Sequence, residues 1–318
     1  MIRYALAAAL ALAATPALAA WPDRPVRLVV PYAAGGPTDI IARVIAEAAS
    51  AELPHRILVE NRTGAGGAIG AAAVAKADPD GHSLLFTNIG YAALPALFAR
   101  LEFDPPKDLR AVTIVAESPM VLLVPPNAPF RTVQDFVARA KAEPGRLTYG
   151  STGGGGALQL VSLLFIQAAG IELTEVPYRG SAPAVADLAA GRLDMLYDAG
   201  LTGFGLAKGG QARALVVSSA QRSPVMPDVP TVAEVGLPEA TFAVWQAVLA
   251  PADTRDATVE RINAVLVRAI RNEGVAKRLA ELGAERLIGN SHAEAQRFVA
   301  SEILRWKTIL ARAGVKPQ

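Results

Sequence analysis

Residues Val26 to Thr38 read VRLVVPYAAGGPT, and the architecture follows from this stretch. Val26 to Val30 is a short apolar run, the pattern of a strand buried on both faces. Pro31 to Pro37 interrupts it with two prolines flanking two glycines. Thr38 then offers an N-cap, and Ile41, Val44, Ile45 and Ala48 recur at helical spacing. Strand, small-residue loop and helix in that order open an α/β unit.

The same rhythm recurs on both sides. Ile57 to Glu60 reads as a strand, Asn61 to Gly67 as a Gly-rich loop and Ala68 to Ala77 as a helix, before a third strand at Ser83 to Thr87. Further on, Leu147 to Gly150 leads through the loop Ser151–Gly156 to an apolar helix, Leu158 to Ala169. Leu173 to Pro177 leads through Tyr178–Ala182 to another helix, and Leu193–Tyr197 and Ala212–Ser218 complete a second small sheet. Two long apolar stretches join the groups. Arg110 to Val124 is long for one strand, and Pro119 argues for a bend, so it reads as a crossing between lobes. Thr241 to Ala250 reads as the return. Thr231–Glu234 is a capping-box pattern that predicts a short helix, Val259, Ile262, Leu266 and Ile270 share a helix face, and Ser291–Glu294 caps a final helix through Leu310. The expected division is a leader over residues 1–19, one lobe from 20–119 plus 245–318, and a second from 120–244, hinged around a cleft.

Arg3, the apolar run Tyr4–Ala14, Pro16 and then Ala17-Leu18-Ala19 come in the order of a secretory signal, with cleavage expected after Ala19. No later stretch is an unbroken apolar run of the ~18 residues that a membrane span needs. The chain has no cysteine, which removes disulfides, thiolate chemistry and the lipid-anchored cysteine of a lipoprotein. A periplasmic location without a lipid anchor is expected, as is a monomer. With 31 Lys+Arg against 29 Asp+Glu and no clustered basic face, nucleic acid is not an expected partner.

Three loops carry the candidate chemistry: Pro31–Thr38, Gly150–Gly156 and Tyr178–Ser181. Each follows a strand, is built of small residues and opens a helix. Ligands of open α/β sheets sit beyond the carboxyl ends of strands, where helix N-termini present free N–H groups and partial positive charge. Taken singly, such glycines also serve simple tight turns; three loops of the same form favour a site for a small anion. Gly150–Gly156 lacks the lysine of a P-loop, Leu158 and Ile69 break dinucleotide spacing, and Tyr149 excludes a nucleophile elbow around Ser151. His55, His82 and His292 read as solvated turn or cap residues, with no metal spacing. No catalytic residue, metal or cofactor is therefore expected. Asp198 is either a cleft residue or a turn acceptor, Arg179 either a ligand partner or an exposed loop residue, and Trp245 either a cleft wall or hinge packing.

These segments together resemble the extracytoplasmic receptors of tripartite tricarboxylate transporters, often called Bug receptors. The resemblance runs from Trp21 to about Gly314. It rests on RLVVPYAAGGPTD (Arg27–Asp39), VENRTGAGG (Val59–Gly67), ADPDG ending at Gly81, GSTG (Gly150–Gly153) and VPYRG (Val176–Gly180) with Pro183-Ala184. Asp187-Leu188, Gly191, Asp194, Arg222-Ser-Pro224, Pro227–Thr231 and Ala250-Pro251 complete it, all in the family's order. It implies a two-lobed periplasmic-binding-protein fold (Venus flytrap, type II-like) with crossing strands at the hinge. It also implies a carboxylate ligand held largely by backbone amides, and membrane permease subunits as partners. It implies that Pro31–Asp39, Gly150–Gly156 and Tyr178–Ser181 line the cleft, and with the residue reading above the expected ligand set is Tyr32, Ala33, Ala34, Gly35, Thr38 and Asp39; Ser151, Thr152, Gly153, Gly156 and Gln159; Tyr178, Arg179 and Gly180; and Asp198. Gly156 and Gln159 stand where relatives often carry Ser and His, and Thr87–Tyr91 also departs from the commoner pattern. Other readings stay open: a receptor of an ABC or TRAP-type transporter, a ligand-sensing input to a membrane kinase, and a secreted α/β hydrolase.

Overall fold

The computed structural model describes residues 21–152, 155–178, 180–281, 284–312, 314–315 and 317. The first half runs β1 (Val26–Val30), α1 (Pro37–Ser50), β2 (Ile57–Asn61), α2 (Ala68–Ala75), β3 (Ser83–Asn88), α3 (Gly90–Leu97), α4 (Pro105–Asp108) and β4 (Leu109–Ser118). After Pro119 come β5 (Met120–Val124), α5 (Val133–Ala142), β6 (Thr148–Ser151), α6 (Ala157–Ala169), β7 (Thr174–Pro177), α7 (Ser181–Ala189), β8 (Met195–Ala199), α8 (Gly200–Lys208) and β9 (Arg213–Val217). The chain returns through β10 (Val244–Pro251) to α9 (Asp256–Arg271), α10 (Glu273–Glu281), β11 (Arg286–Leu287) and α11 (His292–Arg312).

Two sheets result, ordered β11-β4-β10-β3-β1-β2 and β7-β6-β8-β5-β9. β1 pairs parallel with β2 and β3, and β6 parallel with β7 and β8. β1 (except Arg27), β3 and the continuously apolar β5 are buried on both faces, as helix-covered strands must be. Pro119 cannot donate to a ladder, and the long stretch Arg110–Val124 divides there: β4 stays in the first sheet and β5 enters the second. β10 pairs antiparallel with both β3 and β4, so outgoing and returning crossings lie side by side. This is a two-lobed α/β fold with crossing strands at its hinge.

Three local expectations change. The N-cap of α1 is Gly36, with Pro37 at the first helical position. Proline's fixed φ suits that position and moves the start ahead of Thr38. Thr231 and Glu234 do exchange the reciprocal bonds of a capping box, but a single turn follows, not a helix. Gly236 at φ +85° ends it. His82 is not solvated: it is 7% exposed, and its ring nitrogens lie 3.1 Å from Asp23 and 3.2 Å from Asp80. Trp21, whose indole N–H donates to the Gly81 carbonyl, packs beside it.

Trp245 belongs to hinge packing. It is 1% exposed, meets Phe298 edge-on, and donates its indole N–H to Glu302 Oε2 at 3.0 Å. Trp306 donates to the same oxygen at 3.2 Å, so one carboxylate ties α11 to the return strand. Glu302→Ala orphans two buried indole donors. It should cost about 2 kcal/mol of stability, on the scale of unsatisfied buried groups, with Glu302→Gln losing less. Denaturant melts of the two variants check this, and an unchanged Glu302→Ala midpoint would refute the role.

Candidate functional site

The loops after β1, β3, β6, β7 and β8 all leave the carboxyl ends of their strands, where the two lobes face each other. In the first lobe, Ala33, Ala34 and Gly35 are exposed, and Gly35 adopts φ +80° with open space around it. Asp39 organises this loop. Its carboxylate, 2% exposed, accepts from the Gly35 N–H (2.9 Å), Arg43 Nε and Nη2 (2.9 and 3.0 Å) and Asn61 Nδ2 (2.8 Å). Burial alone would raise Asp39; the bonds from Arg43, Gly35 and Asn61 outweigh it and hold the carboxyl below its ordinary range. Asn61 also donates to the Tyr32 carbonyl.

Asn88, at the end of β3, completes this wall. Its Oδ1 accepts from the Tyr32 hydroxyl at 2.7 Å and the Gly90 N–H at 3.0 Å, and its Nδ2 donates to Thr38 Oγ1 at 2.9 Å. One amide thus fixes the β1 loop, the first turn of α1 and the start of α3. Burial pushes the Tyr32 hydroxyl up to about 12, with Thr87 acting in the opposite sense, so it stays protonated at neutral pH.

In the second lobe the network centres on Glu175, an exposed residue of β7. Its Oε1 accepts from the Ser151 hydroxyl and from Gln159 Nε2 at 2.9 Å, while Gln159 Oε1 accepts the Gly155 N–H at 2.9 Å. Gln159 therefore braces the Gly-rich loop from α6. Thr152 is half-buried beside it, and Gly156 is the N-cap of α6. Gly153 and Arg179 lie outside the described residues. The Tyr178 N–H donates to the Ser151 carbonyl and its hydroxyl to Asp187, and burial raises that hydroxyl above its ordinary range. Gly180 is the N-cap of α7. Asp198, 2% exposed at the end of β8, accepts from the hydroxyls of Ser181 (2.7 Å) and Thr202 (2.6 Å), and burial raises its pKa despite both bonds.

The two walls touch. A Cβ on Gly155 would lie 1.9 Å from Leu97 Cδ1 and 3.7 Å from Ala93 Cβ, both on α3. A Cβ on Gly90 would lie 3.1 Å from the Tyr32 hydroxyl and 3.7 Å from the Gly155 carbonyl oxygen. Tyr32, Thr38 and Asn88 of one lobe and Gly155 of the other therefore share one region. The helices α1 and α6 open there, and α7 opens beside the end of β6, where β7 pairs with it; all three have glycine N-caps, and no side chain caps any of them. Their first-turn N–H groups have no intrahelical acceptor and present partial positive charge. Such an arrangement suits an anion. Among the described residues there is no group of three His, Cys, Asp or Glu placed to hold a metal.

Gly155 belongs to the loop that the sequence marks, whereas Asn88 and Glu175 are not among the candidate residues read from sequence. The departure of Thr87–Tyr91 from the commoner pattern was the one signal near Asn88.

Residues 41–315 match the family described as tripartite tricarboxylate transporter family receptor. The chain belongs to that family. Solved structures agree with the assignment. The periplasmic binding protein BugD is 32% identical, with a TM-score of 0.82 over 94% of this chain and 100% of its own. Rpa4515 of R. palustris, solved with adipate, is 35% identical, with a TM-score of 0.84 over 94% and 100%. MatC of Rhodopseudomonas palustris, with bound malate, is 33% identical, with a TM-score of 0.80 over 91% and 100%. The family and these neighbours are solute-binding receptors of the periplasm, not enzymes. The receptor's lobes are those of a periplasmic binding protein.

Proposed function

We propose that this receptor captures a small carboxylate between its lobes and delivers it to the membrane permease subunits of a tripartite transporter. The observation that carries the reading is the meeting of three helix N-termini, each with a glycine N-cap and no capping side chain, from opposite lobes. Each such end favours an anion by ~0.3–1 kcal/mol when exposed and up to ~2 kcal/mol when partly buried. The ligand contacts are assigned to the loops around Tyr32–Asp39, Ser151–Gln159, Tyr178–Gly180 and Asp198, with Asp39 and Gln159 shaping their loops. Adipate and malate, bound by two relatives, support a ligand among the small dicarboxylates. Arg3, the apolar run and Ala17-Leu18-Ala19 support export by a cleaved signal; these residues lie outside the described region.

A thermal-shift panel of mono-, di- and tricarboxylates, amino acids, amines and sugars tests the reading, with native mass spectrometry reporting the bound mass. At a hundredfold excess over Kd a ligand adds ~2.7 kcal/mol, a shift of several degrees. At least one carboxylate should give it and be recovered unchanged. Stabilisation by sugars or amines alone, or a converted product, would overturn it.

A further inference from the structure

Gln246 lies on β10, the return strand, directly opposite Asn88 of β3. It is 2% exposed, and its Oε1 is buried with no hydrogen-bond partner. Alternation along β10 fixes the side of the sheet on which it stands. Trp245 and Ala247 pack into the core that includes α11, whereas Val248 packs into the core with Val30, Ile41 and Ile45 of β1 and α1. Gln246 therefore stands on the α1 side. Directly paired residues share a face, ~4.5–5.5 Å apart at Cβ, so Gln246 stands beside the amide of Asn88. That amide is already committed to Tyr32, Gly90 and Thr38. Thr38 belongs to the first turn of α1, whose end no side chain caps. A buried amide oxygen without a donor and an uncapped helix end thus adjoin on the α1 side of the sheet.

We propose that Gln246 is a specificity-determining residue that reads a hydroxyl next to the carboxylate held at the α1 N-terminus. The preferred ligand is then a hydroxycarboxylate rather than its deoxy analogue. This rests on the carboxylate-receptor reading above. A buried amide oxygen without a donor is costly, and turning the amide over orphans its NH₂ instead. A hydroxyl both donates and accepts, so it satisfies Gln246 in either orientation; a methylene satisfies neither. An ammonium satisfies only the oxygen and brings positive charge against a positive helix end.

Calorimetry on the purified exported protein with matched pairs tests this: malate and succinate, citrate and tricarballylate, 2-hydroxyadipate and adipate, with aspartate as the amine control. In the best-bound pair the hydroxylated member should bind about tenfold tighter or more, the scale of one or two net hydrogen bonds. Gln246→Met, of similar length and without polar atoms, should bring the pair within about threefold by weakening the hydroxy acid and leaving the deoxy acid unchanged. Equal binding in the wild type, tighter binding of aspartate than malate, or a preference that survives in Gln246→Met overturns the proposal. Should Gln246→Met fail to fold, the wild-type ratios still decide. Deoxy acids binding as well as hydroxy acids would sink this assignment while leaving the carboxylate receptor intact. No binding by any carboxylate would sink both.

Discussion

Gly155→Val should weaken carboxylate binding about 10- to 100-fold while both lobes remain folded. Gly155 sits at φ +78°, a region that costs a residue with a Cβ roughly 1–2 kcal/mol. Its new Cβ would also fall 1.9 Å from Leu97 Cδ1. Overpacking of that kind typically costs ~1–3 kcal/mol. The strained φ destabilises the loop with and without ligand, so the loss of binding comes from the clash, ~1.4–2.8 kcal/mol for 10- to 100-fold. The clash lies between a loop of one lobe and α3 of the other, so the open protein avoids it and the closed, liganded one cannot. Calorimetry should show the loss, and small-angle scattering should show a radius of gyration that no longer shrinks with ligand. Leu97→Ala in the same chain removes the clash and should restore most of the affinity, leaving the backbone strain as a loss of stability. Gly155→Val binding like wild type would show that this loop does not close on the ligand.

Much of this fold was legible because its strands announce themselves. Val26–Val30 is apolar except for the exposed Arg27, bounded by prolines, and forms β1 with those limits. Pro119 marks the change of sheet because a proline can be accommodated only where the ladder is already interrupted. The helix α3 was not legible. Its sequence, GYAALPAL, begins with glycine and carries Pro95 inside, and both residues disfavour a helix. It forms because Tyr91, Ala92, Ala93 and Leu94 are buried in the core. The site divides along the same line. The small-residue loops that open helices follow from local pattern, since each needs only a strand before it and a helix after it, although the N-cap of α1 is Gly36 and not Thr38. Asn88, Glu175 and Gln246 act through partners distant in sequence. Asn88 meets Thr38 and Tyr32 across 50 and 56 positions. A lone amide in a strand carries no local signal of such a role, because only the register of β10 against β3 reveals what stands beside it.

Asp39→Ala should cost about 3 kcal/mol of stability at neutral pH and weaken ligand binding as well. The carboxylate is buried and receives four hydrogen bonds, from Gly35, Arg43 (two) and Asn61. Removing one member of a buried ion pair commonly costs ~3–5 kcal/mol. Arg43 is half-exposed and can turn to water, which places the value at the lower end. The Gly35 N–H and the Asn61 amide lose the acceptor that holds the loop over the α1 N-terminus, so binding suffers with stability. The pH dependence gives an independent check. Asp39 titrates below the ordinary carboxylate range in the folded protein. Its contribution is therefore fully present above the unfolded value of about 3.9, and is lost as pH falls through the folded value. Other carboxylates with lowered pKa, Asp80 and Asp187 among them, also destabilise the protein in acid, so the informative quantity is the difference between wild type and variant. Denaturant melts from neutral pH down to pH 3 should show that difference near its full size above the carboxylate range and shrinking below it. A gap that is absent at neutral pH, or that persists undiminished in acid, would show that the Asp39 charge does not order the loop.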